Sequence, residues 1–78
     1  MERVKLIWDF RGPNAQPIAE HHVIHLKEFS DVEGLKHTLC AVERISELHY
    51  IAYLIVEKTM MVDLRERLKP NRGQLYKP

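Results

Sequence analysis

Polar and apolar residues alternate at the start of the chain. Val4, Leu6, Trp8 and Phe10 fall on one side, and Arg3, Lys5, Asp9 and Arg11 on the other. This period of two marks a half-buried strand, broken on its polar side only by Ile7. The run Arg11-Gly12-Pro13-Asn14 ends it. Asn14 or Gln16 is placed to cap a helix, and Pro17 suits the first turn, where a backbone N–H has no partner to lose. Ala15, Ile18 or Ala19, His22 or Val23, Leu26 and Phe29 then recur at helical spacing as far as Gly34, a left-handed terminator. The spacing predicts a helix of about four to five turns.

Two patterns overlap between Leu35 and Leu48. Leu35, Leu39, Val42, Ile45 and Leu48 fit a helix, whereas Thr38, Cys40 and Val42 suit a strand. A strand is expected, because a second helix here would leave too few strands to cover the first. Arg44 to Leu48 then forms the hairpin turn, without the usual Asn-Gly signal. The next segment sets Tyr50, Ala52, Leu54 and Val56 on one face and Ile51, Tyr53 and Ile55 on the other, which predicts a central strand covered on both sides. Thr59 is expected to cap a last helix with Met61, Leu64 and Leu68 facing inward. Arg65, Arg67 and Lys69 sit at its C-terminal end, and Pro70 stops it. Gly73 to Tyr76 forms a short final strand.

This order predicts an α+β fold: the ferredoxin-like split β-α-β-β-α-β, an antiparallel sheet with two helices on one face, in a single domain over residues 1–78. Ile7, Ile51, Tyr53 and Ile55 lie on the face without helices. A second copy of the chain is expected to cover them, so Ile51, Tyr53 and Ile55 are read as a homodimer interface.

Charge and composition exclude several classes. Twelve basic and eleven acidic residues leave a formal charge of +1, too small a field to gather nucleic acid or a membrane surface. No apolar run reaches the roughly 18 residues of a membrane span. The absence of a basic-then-apolar leader and the single Cys40 lead to an expected cytoplasmic location.

The segments KLIWDFRGP, AEHHVIHLKEF, IAYLIVEK and LKPNRG resemble a family of short, uncharacterised bacterial proteins. The resemblance covers nearly the whole chain and implies a complete domain, with no catalytic residue to carry over. The element order is also similar to copper-chaperone, ACT and dimeric monooxygenase or isomerase domains. The paired cysteines of the copper chaperones are missing after the first strand, where this chain has Arg11-Gly12-Pro13-Asn14.

Two constellations carry candidate chemistry. His21 and His25 stand one helical turn apart and could hold a divalent transition metal through their ring nitrogens, with His22 or Glu28 nearby. The string lacks the glutamate of zinc-protease helices, because position 22 is His. Arg11, Asn14 and Arg72 are expected to meet at one end of the domain, where they and the free N–H groups of the first helix form an anion seat. Cys40 is read as an inert thiol on a strand beside that of His49.

Three functions follow. The first is a small homo-oligomeric binding or regulatory module that associates through its open sheet face and takes a small ligand or anion. The second is a transition-metal-binding protein using His21 and His25. The third is a small dimeric isomerase- or monooxygenase-like enzyme with a histidine as general base.

Overall fold

The structure is a computed structural model describing residues 2–35 and 38–76. Strand β1 (Arg3–Arg11) leads into helix α1 (Ala15–Glu33), followed by the hairpin β2 (Leu39–Ser46) and β3 (His49–Glu57). A 3-10 turn (Lys58–Met60), helix α2 (Met61–Leu68) and strand β4 (Arg72–Tyr76) complete the order. Four strands form one sheet in the order β2-β3-β1-β4, every neighbour antiparallel. This is the split β-α-β-β-α-β arrangement, with β1 and β3 central. Among the described residues no helix is long and apolar enough to cross a membrane.

The register explains the core. Val4, Leu6 and Trp8 stand opposite Val56, Leu54 and Ala52, and these six side chains pack with Val23 and Leu26 of α1 and Leu64 of α2. Both helices therefore lie on the same sheet face. Leu6, Leu54, Leu26 and Leu64 are almost fully buried, a contribution of roughly 1.5–3 kcal/mol for each side chain of this size. Trp8 adds a polar anchor, donating its indole N–H to the Leu68 carbonyl at 3.2 Å across the end of α2.

Entry into α1 differs from the expected side-chain cap. Asn14 occupies the cap position, but its side chain makes no capping bond. The Gly12 carbonyl instead accepts the Ala15 N–H at 3.1 Å, and Pro17 has no N–H to satisfy. The tight turn needs Gly12 at φ +111°, a conformation closed to side chains with a Cβ. At the other end Gly34 takes φ +67°. Gly34 and Leu35 donate back to the carbonyls of Asp31 and Ser30, the paired bonds of a left-handed helix stop.

Within the ambiguous stretch the strand runs from Leu39 to Ser46, with residues 36 and 37 outside the described residues. The hairpin turn is tighter than expected: Ser46 pairs with His49, so only Glu47 and Leu48 turn. Neither has positive φ. A bulge between Arg44 and Ser46 supplies the twist that an Asn-Gly turn would otherwise give. The last helix also starts later than expected. Thr59 lies inside the 3-10 turn, and Met60 takes the cap position without a side-chain bond.

Three isoleucines expected to be wet on the open face are already buried within one chain. Ile7, Ile51 and Ile55 are only 1–2% exposed in the single chain. Lys5 reaches over Tyr53, its Nζ 4.3 Å from the ring centroid, to meet Glu43 at 3.4 Å. Asp9 stands opposite Ile51, and Arg72 stands opposite Ile7. Long polar side chains on their apolar stems thus roof the isoleucines. The isoleucines of β1 and β3 are thus covered within one chain, whereas Leu39, opposite Ile55 on the edge strand, is 51% exposed.

Candidate functional site

Helix α2 is short, and Leu64 is its only fully buried residue. The space it leaves beside β4 is a cleft of about 530 Å³, within the size range of small-ligand sites. Its floor is Val4 and Leu6 of β1, and its walls include Met61, Pro70 and Leu75. Gly73 stands opposite Leu6 in the register, so its missing side chain opens the floor. A Cβ built there would meet Leu6 Cδ2 and the Lys5 carbonyl at 3.6 Å, an ordinary contact distance. The glycine is thus not required by strain or clash.

Of the three cations that line the cleft, Arg72 is bonded to Asp9, which leaves Lys58 and Arg65. Lys58 meets Glu2 at 3.5 Å, while Arg65 has no ion-pair partner among the described residues. Asn71 also lines the cleft, and none of the described histidines does. An apolar floor beside solvated cations suits a ligand with an apolar body and an anionic head. The sequence reading missed this site. The available signal was Gly73 inside a strand pattern, a position where another group often approaches the backbone.

Asp9 organises the polar groups behind the cleft. Its Oδ1 accepts from His49 Nε2 at 2.8 Å and from Arg72 Nη2 at 3.1 Å, and its Oδ2 accepts from Arg72 Nε at 3.0 Å. Its backbone N–H donates to Asn71 Oδ1 at 2.8 Å. The Arg72 bonds, opposed by burial and aided by His49, hold the Asp9 carboxyl below its ordinary value of 3.8. This cluster ties β4 and β3 to β1.

The expected anion seat is not assembled. Arg72 is committed to Asp9 and stands opposite Ile7, whereas Arg11 stands opposite His49. Those positions are four residue steps apart along β1, about 13 Å at the rise of a strand. The helix N–H groups that were to hold the anion are also reduced. Ala15 donates to Gly12, and Pro17 has none. Asn14 sits at the cap of α1.

The histidines divide between two sides of α1. His21 Nε2 lies 2.7 Å from His25 Nε2, with the rings stacked at 4.6 Å. Glu28 Oε1 lies 3.5 Å from His25 Nδ1, beside the ring rather than facing the Nε2 pair. His22 does not join them. It packs 4.9 Å from the Trp8 ring and 5.5 Å from Phe10. Burial, with a smaller push from His25, lowers its pKa below the ordinary 6.5.

Its Nε2 is buried without a hydrogen-bond partner among the described residues. Replacing His22 by Leu, of similar volume, is therefore expected to stabilise the fold by about 1 kcal/mol, because an orphaned polar atom is removed. Urea denaturation at neutral pH measures it; a loss of stability would mean that the ring makes a bond worth more than its burial.

Cys40 and His49 stay apart. Cys40 packs against the core and donates to the Val23 carbonyl at 3.6 Å, while His49 bonds Asp9 on the opposite sheet face. Burial raises the Cys40 thiol to about 11, which leaves almost no thiolate at neutral pH.

Comparisons with protein-family models, with curated proteins and with solved structures give no match. The fold itself defines the class: a four-stranded antiparallel α+β domain of the split β-α-β-β-α-β order.

Proposed function

We propose that this chain is a small-molecule-binding module that takes an amphipathic carboxylate in the cleft between α2 and β4. The observation that carries this reading is the cleft itself: a space of about 530 Å³ with Val4 and Leu6 as floor, Gly73 as opening and Arg65 at the rim. Apolar contact with the floor supplies affinity, and the guanidinium orients the head group. The reading keeps the binding-module function and moves the site from the sheet face to the helix side. A histidine general base has no support in this cleft, which no described histidine lines.

Calorimetry with octanoate and octan-1-ol tests it. Octanoate is expected to bind more tightly than the alcohol, and Arg65→Gln should weaken octanoate about tenfold, or about 1.4 kcal/mol, while leaving the alcohol unchanged. Gly73→Val should abolish binding of both and hold or raise the melting temperature, because a β-branched residue fills the opening and suits a strand. Octanoate heats that are unaltered in Gly73→Val would place the ligand elsewhere and end the proposal.

A further inference from the structure

We propose that the outer face of α1 carries a divalent transition-metal site that two copies of the chain complete, with His21 and His25 from each as ligands. The site is separate from the cleft and does not depend on it.

The two ring nitrogens already converge. The His21 and His25 Nε2 atoms are 2.7 Å apart on an exposed helix face. Two nitrogens sharing a tetrahedral zinc at about 2.05 Å would lie roughly 3.3 Å apart, so a small ring rotation admits the ion. The Glu28 carboxylate beside His25 Nδ1 at 3.5 Å favours a proton on that nitrogen. It leaves Nε2 bare for the metal, the usual service of a carboxylate behind a histidine ligand.

One chain supplies only half of such a site. Among the described residues no group of three or more His, Cys, Asp or Glu is placed to hold a metal ion. His22 faces the core, and Glu28 faces the far nitrogen. A zinc held by His21 and His25 alone keeps two positions open, and a second identical pair fills them by symmetry.

The surroundings of the pair favour a second copy over water. Ile18, His21, His25, Glu28 and Val32 follow one another at spacings of three, four, three and four, which aligns them as one seam along the helix. Ile18 is 51% and Val32 82% exposed, and Ile24 beside the seam is 58% exposed. Such a seam suits packing against another helix, yet within the chain it packs against nothing that buries it. Its two central residues are imidazoles whose Nε2 atoms bond each other at 2.7 Å, and a shared metal takes the place of the proton between them.

The test is a zinc titration of the untagged chain followed by sedimentation and calorimetry. The expected result is one zinc bound per two chains, a doubling of mass, and return to monomer on adding a chelator. His25→Ala should lose zinc binding and the mass change together. Its side chain is solvent-exposed, so the fold should persist, as far-UV circular dichroism checks. Val32→Glu, which keeps both ligands, should weaken zinc-driven dimerisation about tenfold while the monomer still binds zinc. Saturation at one zinc per chain with no mass change would overturn the proposal, as would an absence of binding at micromolar zinc. A mass doubling that survives His25→Ala would overturn it too.

Discussion

Replacing Leu64 by Ala is expected to be the most damaging single change, lowering stability by about 2–5 kcal/mol. Leu64 is fully buried and is the only residue of α2 that is. An isolated helix of eight residues is not stable in water, so α2 exists because this side chain enters the core. Truncation leaves a cavity among Val4, Leu6 and Leu54 and also releases the hold on α2. For a domain this small the loss corresponds to a fall in melting temperature of at least about 10 °C. Thermal denaturation followed by circular dichroism measures it. A fall below about 4 °C, matching less than about 1 kcal/mol, would mean that α2 is held mainly by the Trp8 bond to Leu68 and the Arg67–Glu33 ion pair at 2.8 Å.

Asp9→Asn is expected to give the second largest effect, a loss of about 1–2 kcal/mol at neutral pH. The carboxylate receives bonds from Arg72 and His49 and keeps 19% of its side-chain surface exposed, so solvent screens part of the interaction. The direction with pH follows from its lowered pKa. The folded state holds the proton less tightly than the unfolded chain, so the stabilisation is complete above the ordinary value of 3.8 and is lost as pH falls through the lower folded value. Urea denaturation of both proteins between neutral pH and pH 2 should therefore show a gap that is constant above about pH 5 and closes below about pH 4. A gap independent of pH would assign the loss to packing rather than to charge.

Much of the fold was legible because two periodicities carry it. The alternation from Arg3 to Arg11 and the two-sided run from Tyr50 to Val56 fix β1 and β3 as the central pair, and the Gly34 stop is where the pattern predicts it. Less legible were features decided by long-range partners. The wet face expected for Ile51 and Ile55 depends on where Lys5 and Glu43 reach, which no local pattern states. The anion seat failed because β4 begins opposite Ile7, so Arg72 meets Asp9 before it can approach Arg11. The pairing of His21 with His25 followed from helical spacing, whereas the turning of His22 toward Trp8 required knowing which side of α1 meets the sheet. The cleft depends on a residue without a side chain, and Gly73 carries no hydropathy signal at all.

The shortness of β4 has a consequence for behaviour at high concentration. This five-residue strand pairs with β1 alone. Its departure bares one edge of β1 from Arg3 to Ile7, where Val4, Leu6 and Ile7 are interrupted only by Lys5. Bare edges of that kind recruit strands from other molecules. Local openings cost less than global unfolding, and β4 leaves only by breaking its ladder to β1 together with the bonds from Asp9 to Arg72 and Asn71. The Asp9 cluster thus acts as a guard against self-association, and acid conditions that protonate Asp9 should bring turbidity before the core melts.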